Sequence, residues 1–172
     1  MATIEDVQLI LRDHRTHYQL SQKEGEMIVE KLQQLLTMTD CANGTVLKYI
    51  CAFLTPLTYR MIVLSRNINA GKCGYPLCRL TLIQCGYTSN EASSYCSEYH
   101  QNCSQYISRQ LFDEDLECRI GIHLRRGYDE DSPDYKYRIR LFEEVLDPDE
   151  ISDLDGITSQ LCTMGIRSNN IY

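Results

Sequence analysis

The sequence predicts a mainly α-helical domain with one minor β element, and three features predict it. Apolar residues recur at three- and four-residue steps along most of the chain, two of these runs open on strong helix-start signals, and two pairs of metal-ligating side chains follow residue 72. With 172 residues, 43% of them hydrophobic, the chain has the size of one domain, residues 1–172, that buries its own core. Within it, helical parts at 1–68 and 104–172 are expected to surround a metal-binding segment at 69–103.

Asp6 to Leu11 is a short helical run with Val7, Leu9, Ile10 and Leu11 as its apolar positions. Ser21-Gln-Lys-Glu24 has the form of a capping box, in which hydroxyl and carboxylate each satisfy an unpaired backbone N–H. The helix it opens places Met27, Ile28, Leu32, Leu35, Leu36 and the stem of Lys31 on one face. Asn43-Gly44 breaks the chain, and Val46, Leu47, Ile50, Cys51 and Leu54 line a third helix. Thr55-Pro56 reads as N-cap and first-turn proline of a fourth, running through Tyr59, Met61, Ile62 and Leu64 and fraying near Asn67. Asn69-Ala70-Gly71 is then a loop leading to Cys73. Tyr99 to Leu111 keeps helical spacing, Tyr135 to Leu141 alternates with period two as a short strand would, and Asp147-Pro148 opens a last helix carrying Ile151, Leu154, Ile157, Leu161 and Met164.

The chemistry concentrates in the cysteines. Cys73 and Cys78 flank Gly-Tyr-Pro-Leu, a loop able to fold two thiolates towards one ion, whereas Cys96 and His100 are one helical turn apart on a common face. This Cys-x4-Cys, Cys-x3-His pattern supplies the four donors of a tetrahedral Zn²⁺, and a set closed by protein groups implies one structural ion and not a Lewis acid with an open position. A dithiol redox pair would use two intervening residues in a βαβ setting, which is not visible. The Cys-x5-Arg spacings at Cys73–Arg79 and Cys103–Arg109 imitate tyrosine phosphatases, but a loop with a proline and two bulky residues cannot cradle phosphate. Cys103 continues the Cys96–His100 face and is an alternative ligand or a buried neighbour. Cys41, Cys51, Cys85, Cys118 and Cys162 read as core or surface thiols, and His14, His17 and His123 as surface or capping histidines.

A net charge of −7 argues against direct nucleic-acid binding, so a phosphorylated partner would have to meet a local basic patch. MATIEDVQLI lacks the pattern of a secretory signal and no run reaches the length of a membrane span, so an intracellular protein without a membrane partner is expected. Nine cysteines without an export signal fit a reducing compartment.

CGYPLC at 73–78 and YCSEYHQNCSQY at 95–106 together resemble the zinc-binding signature of the yeast regulator-of-transcription and RNA polymerase II-associated protein family, which includes phosphatases of the polymerase C-terminal domain. MATIEDV at the start, TVLKYICAFLTP at 45–56 and RLFEEVL at 140–146 are similar to corresponding stretches of the yeast members. The resemblance implies a helical domain built around an atypical Cys3His zinc finger, with Cys73, Cys78, Cys96 and His100 at the family's zinc positions. It implies shuttling between nucleus and cytoplasm, a partnership with RNA polymerase II and its phosphorylated C-terminal heptad repeats, and removal of phosphate from serine, chiefly the fifth of the heptad. Family members often carry an acidic residue directly before the arginine preceding the finger. Here that position is Ser65, followed by Arg66, and a tyrosine associated with the same pocket corresponds to Tyr87.

No familiar phosphatase apparatus accompanies the resemblance: neither an Asp-x-Asp nucleophile motif in a strand setting nor a second cluster of Asp and His for a two-metal mechanism is visible. Phosphate recognition would fall to arginines, with Arg66, Arg125 and Arg126 as first candidates and Arg79 beside them. Lys136, Arg138 and Arg140 form a basic face that either serves this purpose or merely balances the acidic loop before it. The alternative to an enzyme is a zinc-stabilised, non-catalytic factor for polymerase binding, assembly or nuclear import.

Overall fold

The computed structural model describes residues 1–84, 94–129 and 137–146. Five helices carry the fold: α1 (Ile4–Leu11), α2 (Gln22–Met38), α3 (Gly44–Cys51), α4 (Pro56–Ala70) and α5 (Glu98–Ser108). Short 3-10 turns stand at Arg12–His14, Leu116–Cys118, Ile122–Leu124 and Phe142–Glu144.

The helix starts follow local chemistry. The Ser21 hydroxyl accepts from Glu24 N–H, and the Glu24 carboxylate accepts from the Ser21 hydroxyl at 2.6 Å and from Ser21 N–H at 2.9 Å; the last two bonds hold the Glu24 carboxyl down at about 2. Thr3 and Asp6 make the same box at α1, Asn43 caps α3, and Thr55 caps α4 ahead of Pro56. The fourth helix does not fray at Asn67. It runs to Ala70 and stops at Gly71, whose φ of 58° is the left-handed closure glycine adopts at little cost, so Asn69 and Ala70 belong to the helix and not to a loop.

The two long helices, α2 and α4, form the principal packed pair. Ile28, Leu32 and Leu36 of α2 are fully buried, and α4 answers with Tyr59, Ile62, Val63 and Arg66. Met61 and Leu64 lie outside on an exposed stripe with Leu57 and Ile68. Val46 through Cys51 of α3 are all buried, as a short helix crossing the middle of a core must be. A chain of hydroxyls from Tyr95 to Ser104 to Tyr59 ties α5 to α4, and Gln8, Tyr49 and the Arg125 carbonyl tie α1 and α3 to the 3-10 turn at Ile122–Leu124.

Among the described residues the β content is two isolated bridges, Ala2–Cys41 and Lys72–Thr81. From Tyr137 to Leu141 the alternation is real, with Tyr137, Ile139 and Leu141 buried and Arg138 and Arg140 outward. Among the described residues no strand pairs with it. The Tyr128 hydroxyl donates to Ile139 O (2.6 Å) and accepts from Ile139 N–H (2.9 Å), and the Gln110 side-chain amide bonds both Arg140 N–H and O at 2.9 Å. Side chains thus supply the ladder a partner strand would have offered. Tyr135, Lys136 and the helix expected from Asp147 lie outside the described residues.

Candidate metal centre and functional site

Cys73 leaves the end of α4 on a tight knuckle. Lys72 bridges Thr81, Cys73 N–H donates to Leu80 O (3.2 Å) and Cys78 N–H to Tyr75 O (2.9 Å), so the loop between the two cysteines closes on itself. Leu80 N–H points at Sγ of Cys78 (3.4 Å) and Cys96 N–H at Sγ of Cys73 (3.5 Å). Gly74 is required by space: a Cβ there would stand 2.6 Å from Val63 Cγ1 and 2.9 Å from Ser94 O. The second pair comes from the start of α5, capped by Ser97, which sets His100 one turn after Cys96.

The donor atoms of Cys73, Cys78, Cys96 and His100 lie within 4.8 Å of one another. Sγ of Cys78 and Cys96 are 3.7 Å apart, and Nδ1 of His100 is 3.9 Å from Sγ of Cys73 and 2.9 Å from Sγ of Cys96. Metal–sulfur bonds of about 2.3 Å and metal–nitrogen bonds of about 2.0 Å in a tetrahedron imply edges of roughly 3.5–3.8 Å, so the residues fit a single ion. The three thiols are buried. Hydrogen bonds from Cys78 and Cys96 hold the Cys73 thiol far below its ordinary value, and the same closeness to Cys73 and Cys78 pushes Cys96 far above. Burial works against charge on His100, yet bonds to Cys73 and Cys78 raise it to about 10. Donors this close need a shared cation or shared protons to stay together, and a soft divalent ion suits the set. Cys103 is fully buried and outside this group of four. Cys41 and Cys51 are core thiols whose acidity burial suppresses, Cys118 is exposed, and Cys85 and Cys162 lie outside the described residues.

The structure assigns Arg66 a definite place. Its side chain is fully buried, with Nε on Cys73 O (3.0 Å), Nη1 on Leu36 O (2.6 Å) and Thr39 O (2.7 Å), and Nη2 on Asp40 Oδ1 (2.8 Å). One guanidinium therefore joins the C-terminal carbonyls of α2 to the first ligand of the finger, leaving its fork no donor directed at a phosphate in solvent. Arg125, half-buried, stacks over the Tyr137 ring at 5.8 Å, and Arg126 is exposed. The bonds of Arg66 run to α2 and the finger, whereas Arg125 lies over the Tyr137 ring. Arg79 is exposed next to Cys78. Sequence reasoning missed Arg119, a second buried arginine, which donates to the carbonyls of Ala52 (2.7 Å) and Leu54 (3.1 Å) beyond α3 and of Phe112 and Glu114. His14 and His123 are buried and not surface residues. His14 stands 3.6 Å from the Glu24 carboxylate, and His123 Nε2 meets His17 O at 2.8 Å.

A helical body closed around a Cys3His cluster positioned to bind one metal ion defines the class, an α protein built about a zinc-finger-like centre. No family model matches the chain. It is 35% identical, over 99% of its length and 83% of the relative's, to the RNA polymerase II subunit B1 CTD phosphatase RTR1 of Saccharomyces cerevisiae. It is 36% identical to RTR2 of the same organism, with 80% of this chain and 70% of that one covered. The crystal structure of S. cerevisiae Rtr1 has a TM-score of 0.72 to it over 90% of this chain and 98% of that one, at 35% identity. Rtr1 from Kluyveromyces lactis gives 0.70 over 83% and 100%, at 36% identity. The chain belongs to the Rtr1 family of transcription regulators.

Proposed function

We propose that this protein is a phosphatase of the RNA polymerase II C-terminal domain and a transcription regulator, acting on serine of the heptad repeats and chiefly the fifth. The observation that carries the reading is the assembled Cys3His cluster in a chain 35% identical, over nearly its whole length, to a protein bearing that activity in its name. The ion is one Zn²⁺, held by Cys73, Cys78, Cys96 and His100. When bound it supplies folding free energy, holding the 73–78 knuckle against the start of α5. The partners are RNA polymerase II and its phosphorylated repeats, and the protein shuttles between nucleus and cytoplasm.

Phosphate recognition uses exposed guanidinium groups. Arg126 faces solvent and Arg125 stands beside it, whereas Arg66 contributes by fixing the finger to α2. Ser65 lines a surface cavity of about 500 Å³ with Asn69 of α4 and Glu30, Gln34 and Thr37 of α2. A serine hydroxyl is a far poorer base than a carboxylate at neutral pH, and this favours slow turnover in a protein that still binds the polymerase tail. The test is phosphate release from heptad peptides phosphorylated at single positions, with metal content measured on every preparation. Release from the fifth position, raised at least about ten-fold by Ser65→Glu with binding unchanged, is the expected result. Absence of release from every peptide by zinc-replete protein and by the variant leaves a non-catalytic polymerase-binding factor.

A further inference from the structure

The outward face of the 137–141 strip is not part of the finger and borders a cavity of its own. About 370 Å³ in volume, it is lined by Lys48, Tyr128, Arg138, Ile139, Arg140 and Glu144, with Val145 at its edge. That is the small end of the range of roughly 300–1,000 Å³ for sites that engulf a compact group. Extended backbone places Arg138 and Arg140 on the same side, about 6.6 Å apart along the chain, so both guanidinium groups face the same opening. Among the described residues no carboxylate lies within salt-bridge distance of either.

Among the described residues the one carboxylate in the lining is already committed. Glu144 Oε1 pairs with Lys48 Nζ and Oε2 accepts from Leu141 N–H at 3.0 Å, so its charge is held to the wall instead of opposing an incoming anion. Lys48 is itself nearly buried, with its ammonium 5.3 Å from the centre of the Tyr128 ring. Among the described residues, three cations against one anion give the lining a charge of +2 on a protein whose net charge is −7. An extended polyanion such as nucleic acid is repelled by the whole surface, whereas a single dianionic group meets only the local patch. The exposed Val145 adds an apolar border for the chain that carries the group.

We propose that this cavity is a phosphate-monoester subsite, in which Arg138 and Arg140 hold the phosphorylated side chain of a peptide while the Lys48–Glu144 pair fixes the floor. The proposal deepens the reading above and rests on it, since it takes the partner to be a phosphorylated peptide. It adds a binding role, separate from the finger and from the cavity at Ser65.

The test is fluorescence anisotropy with a heptad phosphopeptide, its unphosphorylated form, and inorganic phosphate as competitor, on full-length zinc-loaded protein. Arg138→Ala and Arg140→Ala change exposed side chains, and the melting curve should stay as in the parent protein. Each should weaken phosphopeptide affinity about ten-fold, the loss of one charge-assisted contact, and the double variant more. Inorganic phosphate should compete at millimolar concentration against the parent protein and much less against the double variant. Equal phosphopeptide affinity in parent and double variant overturns the cavity and leaves the phosphopeptide reading standing. Equal affinity of the parent for the unphosphorylated peptide overturns anion recognition, and no phosphopeptide binding by the parent overturns both.

Discussion

Replacing Arg66 with alanine separates a structural arginine from a phosphate-binding one. The guanidinium satisfies the carbonyls of Leu36, Thr39 and Cys73 and one oxygen of Asp40. Leu36 and Cys73 are fully buried and have no water to turn to, and each stranded carbonyl costs about 1–3 kcal/mol. Asp40 keeps Lys72, whose ammonium lies 3.1 Å away, so its carboxylate is only partly abandoned. The sum is about 4 kcal/mol, in line with the roughly 3–5 kcal/mol for breaking a buried ion pair on one side. Against a domain stability of about 5–15 kcal/mol this is a large fraction. With a urea dependence of about 2 kcal/mol/M, the unfolding midpoint should fall by about 2 M. Metal should also be lost at lower chelator concentration, because Cys73 O loses its anchor. Arg66→Lys keeps the charge but not the fork, and should fall between the two. A midpoint within about 0.3 M of the parent, accompanied by loss of phosphopeptide binding, would refute the structural assignment.

Cys73→Ser should abolish stoichiometric zinc and lower the melting temperature, whereas Cys103→Ser should retain the ion; mass spectrometry of the native protein distinguishes them, and a zinc-loaded Cys73→Ser variant with an unchanged melt would defeat the ligand set. Burial alone would raise the Asp40 carboxyl, but bonds from Arg66 and Lys72 lower it below its ordinary 3.8. Its stabilising contribution is therefore complete above that value and is lost as the pH falls through the folded-state value beneath it. The stability gap between the parent and Asp40→Asn, read by urea unfolding at several pH values, should be full at neutral pH and close below about pH 4. A gap independent of pH would remove the ion pair from the account.

What was legible in the sequence depends on short-range chemistry. Ser21 with Glu24, Thr55 with Pro56 and the two ligand pairs work across one to five residues, and all appear where the spacing put them. Thr3 with Asp6 obeys the same rule and was readable in the same way. The buried arginines were harder because a charge at a helical position normally means solvent. Yet Arg66 continues the Tyr59, Ile62, Val63 face exactly one turn on, and that is the signal that could have found it. Nothing local announces Arg119, whose acceptors at Ala52 and Leu54 are more than sixty residues away. The strand expectation failed for a related reason: alternation records which side chains go inward, but not what completes the backbone.

The side-chain ladder on the 137–141 strip limits how this protein can meet a peptide. Strand addition requires a row of unused main-chain donors and acceptors, and at Ile139 and Arg140 these are taken by the Tyr128 hydroxyl and the Gln110 amide. A partner crossing this face cannot extend the strip as a new strand there and is read through side chains alone. Such contacts impose little direction or register on the visitor, so under the proposed reading one heptad repeat is interchangeable with the next at this face.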